Sequence, residues 1–144
     1  MKILFLCTGN SCRSQMAEGY ANRLGLETWE IKSAGLKTHG VNPLAIAVMK
    51  EDDVDISHQQ STLLTKDLLE WADLVITLCG DADDNCPLLP RGTEKRHWPF
   101  EDPAKATGSE QEVLEKFRTV RDGIKSKIID LSEELKPKKR FSMK

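Results

Sequence analysis

An apolar run, Lys2-Ile3-Leu4-Phe5-Leu6, stops at Cys7-Thr8-Gly9-Asn10-Ser11 and gives way, from Ser14, to a segment in which Ala17, Tyr20, Ala21 and Leu24 recur at helical spacing. A short apolar run bounded by turn-forming residues reads as a buried strand, and Gly25 stands where the helix would end. Strand, tight polar loop and helix in that order form a unit of α/β proteins. It commits the rest of the chain to supplying parallel partners for the strand and helices to cover both faces of the sheet.

The remaining sequence contains such elements. Thr28 to Ile31, Asp73 to Leu78 and Lys95 to Trp98 read as three further strands. Asn42-Pro43 pairs an N-cap with a first-turn proline for a helix reaching about Glu51, and Thr65 to Trp71 reads as another. Ser109 with Glu112 makes a capping-box pattern, after which Val113, Phe117, Val120, Ile124, Ile128, Leu131 and Leu135 repeat every three or four residues. The expected fold is α/β, with three layers and a four-stranded parallel sheet flanked by helices. No repeat, linker or low-complexity stretch divides the chain, so residues 1 to 135 are expected to form a single domain. Residues 136 to 144, including Pro137-Lys138-Lys139-Arg140, read as a basic, flexible tail. Ligands of such folds sit at the carboxyl ends of the strands, and Cys7 and Cys79 both fall just past such ends.

The charge balance of 21 basic against 23 acidic residues offers no basic surface for nucleic acid, and no apolar stretch is long enough to span a membrane, so neither partner is expected. The first apolar run is too short for a secretory signal, which places the chain in the cytoplasm. Structural disulfides are rare there, so Cys7, Cys12, Cys79 and Cys86 point to reactivity or to metal binding. The gaps within the pairs are four and six residues, wider than structural zinc usually takes, and no metal is expected. His39, His58 and His97 sit among polar neighbours and read as surface or turn residues, with His97 notable for its closeness to Asp102.

Cys7 and Arg13 stand at the two ends of a five-residue loop between strand and helix. A loop of that length can wrap its N–H groups around a tetrahedral oxyanion such as phosphate or sulfate. Gly9 is the residue expected to supply a positive φ, and the helix N-terminus adds its positive end. Arg13 supplies a planar, bidentate clamp. The same field favours a thiolate on Cys7, making it a nucleophile. Ser14 is placed to hydrogen-bond that sulfur and Asn10 to brace the loop. Thr8, Gly9, Asn10, Ser11, Cys12, Arg13 and Ser14 together form the expected substrate-binding loop.

This segment resembles the phosphate-binding loop of the low-molecular-weight protein tyrosine phosphatases and of the thioredoxin-coupled arsenate reductases that share their fold, and the resemblance runs from residue 1 to about 135. It implies that Asp102, in Asp102-Pro103, is the general acid. Three features favour the reductase branch. Ala104 follows the Asp-Pro pair where the phosphatases have tyrosines, and Tyr20 is the one tyrosine of the chain. Gln15 stands where the phosphatases typically have proline, and residues 7 to 19 fit the reductase pattern. Finally, Cys79-Gly80-Asp81-Ala82-Asp83-Asp84-Asn85-Cys86-Pro87 resembles the reductase redox segment.

The resemblance implies a relay. Cys7 attacks arsenate, Asp102 protonates the departing hydroxide, and Cys79 attacks Cys7 as arsenite leaves. Cys86 then takes over Cys79, and reduced thioredoxin reopens the Cys79–Cys86 disulfide. No tightly bound cofactor is implied, the chain is expected to work as a monomer, and the physiological outcome is arsenic detoxification with weak residual phosphatase activity. Cys12 has no step in this relay and reads as a loop-packing residue open to stray oxidation. In some family members a monovalent cation is held beside the loop by asparagine, glutamate, serine and aspartate. Asn10, Glu18 and Ser33 match, but Thr62 stands where the aspartate would, so the cation is left unassigned. An anion sensor without turnover is the competing reading of the loop, but a sensor has no need of Cys79 and Cys86.

Overall fold

The computed structural model describes residues 1–137, so most of the basic tail lies outside the described residues. Four parallel strands, β1 (Lys2–Cys7), β2 (Glu30–Gly35), β3 (Leu74–Thr77) and β4 (Glu94–His97), form one sheet in the order β2-β1-β3-β4. The helices among the described residues are α1 (Arg13–Leu24), α2 (Pro43–Glu51), α3 (Lys66–Trp71), α4 (Gly80–Asp84) and α5 (Glu110–Leu135), with a 3₁₀ turn at Pro103–Lys105. This is the three-layer α/β fold expected from the sequence.

The central strand is β1, whose Ile3, Leu4, Phe5 and Leu6 are buried on both faces, as a strand covered on both sides requires. From β1 the chain crosses one way to β2 and then back past β1 to β3. Right-handed crossovers in opposite directions put α1 on one face and α3 and α4 on the other. The reversal leaves a crevice at the carboxyl ends of β1 and β3, where Leu6 pairs in register with Thr77.

The long helix α5 closes the α1 side. Ser109 and Glu112 make the reciprocal capping box, and Phe117, Val120, Ile124, Ile128 and Leu131 form the buried stripe. Asn42 caps α2 through its side chain, accepting from Leu44 N at 2.8 Å, and Thr65 caps α3.

One local expectation is corrected. The second strand runs from Glu30 to Gly35 rather than Thr28 to Ile31, because its buried half is Ser33-Ala34-Gly35, small residues that carry no strand signal. Gly25 ends α1 as expected, with φ of −78°. What requires glycine there is space: a Cβ would lie 2.4 Å from the Trp29 ring and 2.3 Å from the Ala21 carbonyl oxygen. The segment after β3 contains α4, whose Gly-Asp-Ala-Asp-Asp sequence has no apolar period to announce a helix.

Candidate active site

Each carbonyl from Cys7 to Cys12 is bonded away from the loop's concave side. The chain leaving β2 takes four of them: Leu36 N donates to Cys7 O, Lys37 N to Thr8 O, His39 N to Gly9 O and Asn42 N to Ser11 O. The Ser61 hydroxyl donates to Gly9 O and Asn10 O, the Gln15 side-chain amide to Asn10 O, and Met16 N to Cys12 O. Among the described residues the N–H groups of Gly9 through Arg13 have no protein acceptor. A ring of unpaired amides at the start of α1 is an anion cradle.

The positive φ of this loop belongs to Asn10, at 47°, and not to Gly9 as expected. Asparagine tolerates that region, and its buried side chain secures the turn. Asn10 Nδ2 donates to Ser14 Oγ at 2.7 Å and Ser33 Oγ at 3.0 Å, while Oδ1 accepts from Thr62 N at 2.7 Å. Gly9 is needed for close approach, since a Cβ would meet the His39 ring at 2.5 Å. Gly35 is needed for the same reason: a Cβ there would lie 2.6 Å from both Asn10 N and Lys37 O.

Cys7, at the carboxyl end of β1, is buried, with Sγ 2.8 Å from Ser14 Oγ. Arg13 donates from Nη1 to Phe100 O at 3.0 Å, and its Nη2 is 3.7 Å from Asp102 Oδ2. Its buried Nε has no partner among the described residues. A buried guanidinium N–H left unpaired is costly, and an oxyanion in the cradle would satisfy it. Asp102 is fixed by the backbone, Oδ1 accepting from Ala104 N at 3.0 Å.

These groups line one cavity of about 430 Å³, and Cys79 is on its wall with Cys7. Cys79 Sγ lies 3.2 Å from Thr8 Oγ1, next to Cys7 in the chain, and accepts from Ala82 N at 3.4 Å in the first turn of α4. Cys7 and Cys79 therefore line one cavity, at the crevice between β1 and β3. Cys86, half-buried, follows α4 and does not line that cavity.

The sequence model of the low molecular weight phosphotyrosine protein phosphatases matches residues 2–141. The chain belongs to that family. Among curated relatives, an arsenate reductase of Oceanobacillus iheyensis is 54% identical over 126 residues, covering 88% of this chain and 91% of the relative. An arsenate reductase of Bacillus subtilis is 50% identical over 131 residues, covering 91% and 94%. Among solved structures, an arsenate reductase in the phosphate binding state superimposes with a TM-score of 0.75 at 39% identity, covering 92% of this chain and 97% of that one.

Among the described residues the walls of the cavity carry no Phe, Tyr or Trp side chain. Tyr20 is fully buried in α1 and donates to Asp52 at 2.8 Å. Ala104, Lys105 and His39 stand at the walls instead. Sequence reasoning treated His39 as a plain turn residue and passed over Gly35, Gln59, Gln60, Ser61 and Lys105. These residues have no apolar period or catalytic motif, and their positions become meaningful only when β2 and the 59–62 segment are folded against the loop. His97, singled out for its closeness to Asp102, lies elsewhere, with Nδ1 2.8 Å from Thr77 Oγ1.

Cys12 lines the cavity as part of the loop. Its thiol is buried at the N-cap of α1, and burial, with the charge of Asp102 adding to it, pushes its pKa up to about 12.

The three residues that match the cation site are bonded directly to one another. Asn10 donates to Ser33, which donates to Glu18. Burial pushes the Glu18 carboxyl above the ordinary carboxylate range, with the Ser33 hydrogen bond opposing it. A carboxyl that holds its proton more tightly folded than unfolded loses stability as pH rises through that interval, so ionised Glu18 is a cost at neutral pH. Glu18→Gln is expected to raise the urea midpoint at pH 7, with the gain shrinking as pH falls into the carboxylate range. A Gln variant less stable than the parent at pH 7 would contradict this.

No helix of the described residues is long and apolar enough to cross a membrane.

Proposed function

We propose that this chain reduces arsenate to arsenite through a relay of Cys7, Cys79 and Cys86, with reduced thioredoxin as the electron donor. The observation that carries this reading is the second thiol in the cavity of the first: Cys79 stands on the wall that Cys7 shares. A phosphatase needs one sulfur and an acid, whereas removing an oxygen from arsenic(V) with two electrons needs a second sulfur within reach of the first. The curated relatives named arsenate reductases support the same substrate.

Arsenate sits in the cradle of loop amides from Gly9 to Arg13, held by the Arg13 guanidinium. The Cys7 thiolate attacks arsenic, and Asp102 protonates the departing oxygen so that water leaves. The Cys79 thiolate then attacks Cys7 Sγ. The sulfur–arsenic bond breaks with its electron pair going to arsenic, and arsenite departs as the Cys7–Cys79 disulfide forms. Cys86 attacks Cys79, returning Cys7 as thiolate, and the Cys79–Cys86 disulfide is exported. Its surroundings suit a protein reductant: Leu88, two residues after Cys86, is 99% exposed, and Leu64, Pro87 and Leu89 line one groove with it. A dithiol protein with an apolar rim around its active site fits such a collar better than a small charged thiol does. We place this reaction in the cytoplasm, carried out by a monomer without a bound cofactor, as a step in arsenic detoxification. The retained loop and Asp102 also support weak hydrolysis of small aryl phosphates.

The direct test is arsenate-dependent NADPH oxidation with thioredoxin and its reductase, repeated with glutaredoxin and glutathione. Sustained turnover is expected with the first couple, and turnover with the second alone overturns the donor assignment. The cradle can be tested from behind. Gly35→Ala sets a methyl against backbone atoms of the loop and the strand exit, and a misplacement of that kind costs about 10²-fold in rate. Arsenate turnover of the Gly35→Ala protein within twofold of the parent would show that the loop does not depend on this packing.

A further inference from the structure

The relay asks two incompatible things of Cys79: to be held at the cavity for the first exchange and to leave with Cys86 for the second. What holds it is a helix of five residues, too short to persist alone. The buried Ala82 is a small apolar anchor. The rest of the seat is polar and centres on Asp83. Its Oδ1 accepts from Lys95 Nζ at 2.8 Å and from Thr77 Oγ1 at 3.1 Å, with His97 Nδ1 at 3.9 Å. Lys95 Nζ also donates to the Asp83 carbonyl at 3.2 Å, at the open end of α4. Thr77 closes β3, and Lys95 and His97 belong to β4, so one carboxylate ties the redox helix to both strands. Asp83 is also one helical turn from each sulfur of the second exchange: its N–H donates to Cys79 O at 3.1 Å, and Cys86 lies three residues on.

We infer that Asp83 is a positioning residue, the latch that seats Cys79 beside Thr8 through Lys95 and Thr77 and opens when the Cys79–Cys86 segment is released. The inference rests on the proposed relay. A helix seated by a large apolar face would resist leaving, whereas one seated by a few partly exposed polar bonds is poised to open locally.

The test uses the reduced full chain and iodoacetamide, with the alkylation of each cysteine followed by peptide mass spectrometry. Cys79 is 5% exposed, so its labelling reports opening of the segment. Asp83→Asn and Lys95→Met are each expected to speed Cys79 labelling by about tenfold. The double variant is expected to be no faster than the faster single one, because both break the same contact. Lys95→Arg is expected to restore slow labelling, and Cys12 labelling stays as slow as in the parent in every variant. With Cys86→Ser as background, Asp83→Asn is also expected to slow formation of the Cys7–Cys79 disulfide after one addition of arsenate. Parent-like labelling of Cys79 in Asp83→Asn overturns the latch, as does faster labelling of Cys12 in parallel, which would mean general loosening. Failure of the unmodified chain to lose thiols to arsenate would instead refute the relay, and the labelling would still report on the latch.

Discussion

Cys7→Ser is expected to abolish both arsenate reduction and aryl phosphate hydrolysis while leaving the fold and the oxyanion cradle intact. Serine is nearly the same size and keeps a partner in Ser14, 2.8 Å from the native sulfur. The hydroxyl is not ionised at neutral pH, and no general base stands in contact with it, so the attacking species is lost. Cys79→Ser provides the contrast. It leaves Cys7, Arg13 and Asp102 in place, so aryl phosphate hydrolysis is expected to survive while arsenite release stops. Assays of both substrates on both variants separate the roles. Arsenite production by the Cys79→Ser protein would place the second sulfur elsewhere, and surviving phosphate hydrolysis in Cys7→Ser would remove the nucleophile from the loop.

Cys86→Ser is expected to allow one turnover and no more. Cys7 and Cys79 share the cavity, so the first exchange can proceed, but the resulting disulfide is buried at the crevice between β1 and β3. Thioredoxin must reach a sulfur to reduce it, and Cys7 and Cys79 are only 2% and 5% exposed. A single equivalent of arsenite followed by arrest, with Cys7 and Cys79 linked, is the expected outcome in a quenched time course. Sustained thioredoxin-coupled turnover in this variant would show that Cys86 is dispensable. Burial also pushes the Cys86 thiol above its ordinary range, with Lys95 opposing it and Asp83 adding to it. Its attack on Cys79 therefore gains from movement of the segment out of this setting.

The parts of the fold legible in the sequence are those with a period or a cap. The β1 run, the α1 repeat and the α5 stripe from Phe117 to Leu131 each carry a pattern that only one kind of element satisfies. Cys7 and Arg13 were legible as a pair because a loop of fixed length between strand and helix makes their spacing mechanical. What stayed hidden lacks such a pattern. Ser33-Ala34-Gly35 is a buried strand end without β-branched residues, and its value lies in being small enough to let the loop approach. The 59–62 segment holds the loop from outside through Gln59, Ser61 and the Thr62 backbone, contacts between residues about fifty positions apart. Asp83 was one of several acidic residues in a polar stretch, and only the neighbouring strands β3 and β4 give it partners.

The most direct measurement adds one equivalent of arsenate to the fully reduced chain without any reductant. The reaction is then quenched with N-ethylmaleimide, and the remaining thiols are mapped alongside the arsenite released. Of the four cysteines, all free in this structure, two are expected to disappear per arsenite formed, found as a disulfide joining Cys79 to Cys86. Four intact thiols with no arsenite, or a disulfide that leaves Cys79 out, would contradict the proposal that a second sulfur at this crevice makes the loop a reductase.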